Sequence, residues 1–236
     1  MVRMDWNHLD DPLHWRKPRR ICVGYHGDWA LLPQADFDSI IHTMKCAPQH
    51  LYFTLTKRTD RLLQKLTGFD PKPHVLLGAS ASTQAELDSR GPALKQLAAA
   101  GWRTWLSLEP LLEEVDVSAY VEGQEEHGID LSREAGSRVG ACVGWTPPVA
   151  LVLVGGESGK DARPCYIPDI RRIVAQCGAS GVPCFVKQLG SDPSGIYVGV
   201  RREVLGPVLR EVNDPHGSDP EEWPEDLRVR ELPEWE

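Results

Sequence analysis

The chain has 236 residues, of which 41% are hydrophobic, and it carries a formal net charge of −8. This length suits one large domain or two small ones, and the acidic balance argues against a surface that binds nucleic acid over its whole extent. No apolar run approaches the length of a membrane span, and the first residues lack the apolar core of a signal peptide, so we expect a cytoplasmic protein.

Apolar runs that suit buried strands recur along the chain. Most of them are nearly continuous in apolar residues, which is typical of parallel strands covered on both faces. The predicted strands cover residues 20–25, 50–56, 74–80, 103–109, 150–156 and 183–188.

Helical patterns lie between these strands. Thr59 suits a helix N-cap, Gly68 suits a helix end, and Pro168 suits a first turn. Gly91 and Pro92 are expected to interrupt the third pattern. The predicted helices cover residues 34–47, 59–68, 82–101 and 167–181. The repeated alternation of strand and helix predicts an α/β fold with a parallel sheet, either open and doubly wound or forming most of a (β/α) barrel.

Two stretches break this rhythm and set the predicted organisation. Residues 122–148 are polar and rich in glycine, so we interpret them as an insertion within a barrel domain that spans residues 1–190. Residues 191–236 end in a segment rich in proline and acidic residues. Five apolar anchors in that segment favour an extension that wraps the domain, and they are Trp223, Leu227, Val229, Leu232 and Trp235.

The cysteines do not form a recognisable site in the sequence. There are six of them, and no pair has the spacing of a CxxC motif. In a cytoplasmic chain, reduced residues in the core are the simplest interpretation. Because no cysteine and histidine spacing matches a zinc site either, we expect no metal site.

Polar residues follow every predicted strand where the apolar run ends. The carboxyl ends of parallel strands meet at one edge of a sheet, and ligands bind there. Ordinary loop polarity is the alternative interpretation of any single position. Taken together, these residues predict a ligand site lined by Asp28, Lys57, Ser80, Glu109, Gly155, Gly156, Glu157, Arg163, Lys187 and Gln188.

The stretch "VLVGGESGKDARP", residues 152–164, gives this hypothesis its most specific feature. Gly155 and Gly156 allow the backbone to approach a ligand closely, and their N–H groups can hold an anion. Glu157 can accept hydrogen bonds from an amine or a hydroxyl, and Arg163 can bind a phosphate or a carboxylate. The stretch matches no nucleotide-binding fingerprint, so a tight turn between strand and helix is the alternative.

Residues 16–20, "RKPRR", form a short basic cluster. Such a cluster can contact phosphates, although a solvated loop is the more common explanation and the acidic total charge supports it. Nucleic acid is therefore a weakly supported partner at the level of sequence.

Several motifs, taken in order, resemble the phage gp-thirty-seven/gp-sixty-eight domain family, whose function is largely undefined. They are "PLHWRKPRRICVGYHGD", "FTLTKR", "LLGASAST", "LSLEPLL", "LVLVGGESGKDARP", "GVPCFVKQLG" and the terminal "DPHGSDPEEWPEDLRVRELP". The resemblance covers residues 11–233. It implies a relationship to radical S-adenosylmethionine enzymes, hence a partial (β/α) barrel of the TIM type with about six parallel strands. It also implies S-adenosylmethionine as the cofactor to test first.

The chain departs from that family at its start. Members usually begin with a strand followed by three cysteines that bind an iron–sulfur cluster, and this chain shows neither feature. A truncated or wrongly assigned start, a partner chain that supplies the missing strand, and a barrel without redox chemistry are all open explanations. We therefore expect a radical-SAM-like barrel of phage or bacterial origin without its own iron–sulfur cluster, and its being an enzyme is not established. The alternative is a non-catalytic module that binds a nucleotide or nucleic acid.

Overall fold

The sheet confirms the predicted α/β half-barrel. The computed structural model describes residues 6–24, 27–123, 148–194 and 213–233. Six parallel strands form one sheet in the order β1-β2-β3-β4-β5-β7, and the sheet curls into a half-barrel with helices between its strands. These strands are β1 (Arg20–Val23), β2 (Leu51–Thr56), β3 (Val75–Ser80), β4 (Arg103–Leu108), β5 (Val152–Gly155) and β7 (Cys184–Gln188). A small second sheet pairs β6 (Cys165–Tyr166) with β8 (Pro193–Ser194).

Four α-helices of the described residues follow the predicted positions, with two corrections, and two short helices were not predicted. The α-helices of this part of the chain are α1 (Asp11–His14), α2 (Gln34–Cys46), α3 (Thr59–Lys65), α4 (Gln84–Ala99), α5 (Ser118–Val121) and α6 (Ile167–Ser180). The two that were not predicted are α1 and α5. Arg58, not Thr59, occupies the N-cap position of α3. The predicted interruption at Gly91 and Pro92 is wrong, because α4 is continuous through both residues. None of these helices combines the length and the apolar character that crossing a bilayer requires.

Long-range packing accounts for the glycine in α4. A Cβ atom at Gly91 would lie 1.8 Å from the hydroxyl oxygen of Tyr120, so the absence of a side chain there is what lets α5 approach α4. The local sequence, a glycine followed by a proline, predicts a break in the helix. In the folded protein the same glycine lets α4 pack closely against α5.

The two faces of the sheet have different coverings. One face packs against the helices, and its two core clusters include residues of α2, α3, α4 and α6. The other face, here called the concave face, buries a smaller cluster that comes mainly from the strands, with Leu232 of the C-terminal segment packed against it. Its buried members are Leu51, Phe53, Leu76, Trp105 and Leu151. The concave face is therefore the side of the half-barrel on which no helix lies among the described residues.

The C-terminal segment lies along the β7 edge of the sheet. The N–H of Val186 donates to the carbonyl of Val229 at 2.9 Å, and the N–H of Glu231 donates to the carbonyl of Cys184 at 2.9 Å. Trp223 and Leu227 are buried in the largest core cluster. The interior of the predicted insertion, residues 124–147, and Trp235 lie outside the described residues.

Candidate functional site

The carboxyl ends of β4, β5 and β7 meet in a polar cluster on the concave face. The Nζ of Lys187 lies 2.8 and 3.0 Å from the two carboxylate oxygens of Glu109. The side-chain amide of Gln188 donates to Oε1 of Glu109 and to the carbonyl of Gly156, both at 3.0 Å. The side chains of Lys187 and Glu109 are 45% and 18% exposed, so the pair faces solvent at the end of the sheet.

Side-chain alternation fixes the face on which this cluster lies. Trp105, Ser107 and Glu109 are two residues apart along β4 and just past it, so their side chains share one face of the sheet. Ser80 pairs with Ser107 in register across β3 and β4. Both serines are nearly buried, and neither hydroxyl makes a hydrogen bond among the described residues. Two hydroxyl groups that have no partner in the described part of the chain therefore lie one step inside the Glu109–Lys187 pair.

Backbone crowding at Gly156 explains why the strand ends in two glycines. A Cβ atom there would lie 2.3 Å from the carbonyl oxygen of Leu189, a contact with backbone that no side-chain rotation can relieve. The Gly156 N–H donates to the carbonyl of Gln188 at 3.0 Å. Gly156 thus allows two chain segments to lie in close contact. This structural role does not depend on a ligand.

Glu157 and Arg163 close the following loop on itself. The Arg163 side chain donates twice to the Glu157 carboxylate, at 2.7 and 2.9 Å, and the Arg163 backbone N–H donates at 2.9 Å. The side-chain bonds from Arg163, and after them its backbone N–H, lower the pKa of Glu157 to about 2. With the Glu157 side chain 29% exposed and that of Arg163 56% exposed, the pair is a surface clamp.

Asp28, in the loop after β1, is bound by residues at the carboxyl end of β2. Its Oδ1 accepts hydrogen bonds from the hydroxyl of Thr56 at 2.6 Å and from the N–H of Ala30 at 3.1 Å. Its Oδ2 accepts from the guanidinium of Arg58 at 2.8 Å and from the N–H of Lys57 at 3.1 Å. Both oxygens of this carboxylate therefore accept hydrogen bonds from the protein itself. Asp28 has a structural role in addition to its predicted role in ligand binding.

Two residues that the sequence analysis missed join the site from α4. Glu86 accepts from the N–H of Ser82 at 2.7 Å and from the guanidinium of Arg90 at 2.8 Å. The Ser82 N–H contributes most to lowering the pKa of Glu86, followed by Arg90, with the charge of Lys57 contributing least. The sequence does contain a signal that indicates Glu86, because Thr83 and Glu86 have the spacing of a capping box.

Glu86 also connects predicted residues that lie far apart in the sequence. The pKa of Arg163 is raised first by its bonds to Glu157, and the negative charge of Glu86 adds a smaller contribution. Glu86 thus feels the charge of Lys57 and acts in turn on Arg163. Among the described residues, Glu157 makes no hydrogen bond or ion pair with Lys57, Glu109 or Lys187, so the shared site of these four residues stays a prediction.

The C-terminal segment adds a further loop to this edge, which the sequence analysis did not place there. The N–H of Leu189 donates to the carbonyl of Gly217 at 2.8 Å, and a Cβ atom at Gly217 would lie 2.4 Å from the carbonyl oxygen of Gly190. The Ser191 hydroxyl bridges the two loops, since it donates to the carbonyl of Pro215 and accepts from the N–H of Gly159. His216 is exposed in this loop. It is a candidate site residue that no local sequence pattern indicates.

The described cysteines do not converge on the polar edge. Cys22 and Cys46 are exposed, whereas Cys165, Cys177 and Cys184 are buried. Burial raises the pKa of Cys165 to about 12, and a hydrogen bond to Cys177 together with burial raises that of Cys184. Within the described residues no group of three or more His, Cys, Asp or Glu side chains could hold a metal ion. Cys142 lies outside those residues.

The Glu157–Arg163 clamp leads to a titration experiment. Because the pKa of Glu157 is lowered from 4.5 to about 2, the stabilisation that the clamp gives the loop is complete above about pH 4.5 and is lost as the pH falls through 2. We expect the Glu157 carboxyl carbon, followed by NMR, to titrate near pH 2, and the midpoint to move up toward 4.5 in Arg163→Met. Lys160→Met, an exposed change in the same loop, is the control that leaves the midpoint low. An ordinary midpoint in the unmodified protein would contradict the clamp.

Comparison with known proteins gives one family. The family model described as a protein of unknown function, DUF5131, matches residues 1–213. Neither the curated proteins nor the solved structures contain a match to the chain.

Proposed function

The chain belongs to the DUF5131 family, and from that membership and the geometry of the site we propose that it is a radical-SAM-like half-barrel that binds a small molecule at the carboxyl edge of its concave face. The ligand carries groups of both signs, or a phosphate together with a polar group. S-adenosylmethionine is one molecule of this kind, and the resemblance to the phage gp-thirty-seven/gp-sixty-eight family and to radical-SAM enzymes makes it the first candidate.

The observation that carries the proposal is the Glu109–Lys187–Gln188 cluster on a face that no described helix covers. An ion pair at a sheet edge contributes little to stability when it is this exposed, usually below about 1 kcal/mol. The cluster also lies beside the hydroxyls of Ser80 and Ser107, which have no partner among the described residues. A charged carboxylate, an ammonium group and two hydroxyls at one place can bind a zwitterion, because each charge of the ligand finds its opposite.

The cysteines that the structure describes do not fit an iron–sulfur cluster. A four-iron cluster needs several thiolates close together, whereas no group of three or more His, Cys, Asp or Glu side chains among the described residues could hold a metal ion. The raised pKa values of Cys165 and Cys184 favour the protonated thiol, which is a poor ligand. We therefore derive no radical step, and the proposal concerns binding alone.

Binding can be measured by isothermal titration calorimetry with S-adenosylmethionine and with ATP as probes. We expect saturable binding of at least one of them and a loss of about tenfold or more in affinity for Lys187→Met and for Glu109→Gln, because each change removes one charged hydrogen-bond partner. Glu157→Ala tests the neighbouring loop in the same way. The melting temperature, measured alongside, separates a ligand-binding role from a role in holding the loop.

The control is Lys95→Met, which removes a lysine that lies over the Tyr120 ring, 4.6 Å from its centroid, in the helical layer. It should leave the affinity unchanged. Absence of binding to both probes, or equal affinity in the Lys187, Glu109 and Lys95 variants, would overturn the proposal.

A further inference from the structure

A basic segment lies at the opposite edge of the sheet from the candidate site, and we propose that it is a binding surface for single-stranded nucleic acid. The segment is residues 16–20, with the sequence "RKPRR". Its Arg19 carbonyl accepts a hydrogen bond from the N–H of Leu51 at 2.9 Å, so the segment runs beside the amino-terminal ends of β1 and β2. The inference is independent of the ligand proposed above, since the two surfaces lie at opposite ends of the strands.

The segment is held in place by a buried histidine. His50 is fully buried, and its Nδ1 accepts from the N–H of Arg19 at 3.1 Å while its Nε2 lies 2.9 Å from the carbonyl oxygen of Pro12. This pattern requires the proton on Nε2. Gln49 adds a hydrogen bond to the carbonyl of Trp15 at 3.2 Å. The backbone at Trp15 is extended, and Pro18 favours an extended residue before it. The basic side chains therefore project from a fixed strip of backbone.

These side chains are exposed and carry an excess of positive charge. All five residues of the segment are exposed, and four of them are basic. Neither Arg16 nor Lys17 makes an ion pair with the described residues. The C-terminal segment at the other edge of the sheet, residues 213–233, holds seven acidic and two basic residues. The net charge of −8 thus hides a separation of charge, and the basic end is where a polyanion would bind.

Aromatic and apolar residues lie close to the basic segment in the sequence. Trp6 and Leu13 are the large hydrophobic residues with the greatest exposure among the described residues, at 56% and 41%. The Arg19 guanidinium lies 4.5 Å from the centre of the Trp15 ring, which orients it. Proteins bind single strands through base stacking on aromatic rings together with phosphate contacts, and the Trp15 ring beside Arg19 suits this mode.

A membrane surface is the other polyanion with an apolar component, but the local structure favours nucleic acid. Binding in a membrane interface uses a long amphipathic helix. From residue 6 onward, where the description of the chain starts, the elements before the strip are a 3₁₀ turn of three residues (Trp6–His8) and the four-residue α1. Anionic vesicles therefore enter the test only as an alternative outcome.

The experiment measures fluorescence anisotropy of a labelled oligothymidylate and an oligouridylate of about 20 nucleotides with the full chain. Binding to either one supports the proposal, and the two arms show whether the sugar matters. For about three or four phosphate contacts, the logarithm of affinity should fall with the logarithm of salt concentration with a slope of about −2 to −3. Arg16→Glu combined with Lys17→Glu should weaken binding at least tenfold and reduce the steepness of that slope by about 1.4.

Arg61→Glu reverses one charge at an exposed position of α3 and should leave the affinity unchanged. It is the matched control for the single variant Lys17→Glu. No binding of either oligonucleotide at low salt would overturn the proposal. So would an unchanged affinity in the double variant, or binding to anionic phospholipid vesicles in place of the oligonucleotides. Since all the altered side chains are exposed, the melting temperature should be the same in every variant.

Discussion

Gly156→Ala is expected to destabilise the protein by about 3 kcal/mol, which is the upper range for forcing an extra group into a packed site. The added Cβ atom would lie 2.3 Å from the carbonyl oxygen of Leu189 and 2.8 Å from the Cα of Gly190. Both are backbone atoms, so relief requires the end of β5 to move away from the chain that follows β7. That movement strains the hydrogen bonds that Gly156 makes with Gln188.

The measurement is the free energy of unfolding from urea denaturation. The control is Gly178→Ala in α6, where an added Cβ atom meets nothing within 4 Å. Alanine is the better helix former, so this change should leave the stability unchanged or raise it by up to about 1 kcal/mol. Equal stability of the two variants would show that the backbone around Gly156 moves at no cost in free energy. The close contact at Gly156 would then not be what holds the loop in place.

The parallel sheet could be predicted from the sequence because burial on both faces leaves a strong local signal. In β2 and β3 almost every residue is buried, and the corresponding apolar runs are nearly continuous. Each of the six predicted strands overlaps a strand of the sheet, with ends that differ by at most two residues. The two-residue strands β6 and β8 were missed, since two residues carry no periodicity.

The site could be predicted only in part, for a reason of topology. Parallel strands bring their carboxyl ends together whatever the details, so Glu109, Lys187 and Gln188 could be placed at one edge. Which residues pair there depends on contacts across 78 or more positions of the chain, such as that of Lys187 with Glu109. No local pattern announces such a pair.

Asp28 also shows why the site could be predicted only in part. Its position after the first strand predicted a ligand-binding carboxylate, and the structure gives it four protein donors. Only the three-dimensional arrangement shows that an acidic residue at a strand end already has its partners. The two roles are separable by experiment, because they predict different effects on stability.

Asp28→Ala is expected to cost about 3 kcal/mol of stability. The change leaves the Thr56 hydroxyl, on a residue only 2% exposed, and the N–H of Lys57 without their acceptor, and hydrogen bonds to a charged group contribute about 1.5 to 3 kcal/mol each before exposure reduces them. The Arg58 contact adds little, because that side chain is 48% exposed. Asp28→Asn provides the matched comparison. It keeps an oxygen for Thr56 and Ala30 but turns an amide toward the donors of Lys57 and Arg58, so its loss should be intermediate. Urea denaturation of both variants gives the order. If both unfold at the same urea concentration as the unmodified protein, Asp28 does not hold β1 to β2, and its carboxylate is left for the ligand that its position in the sequence suggested.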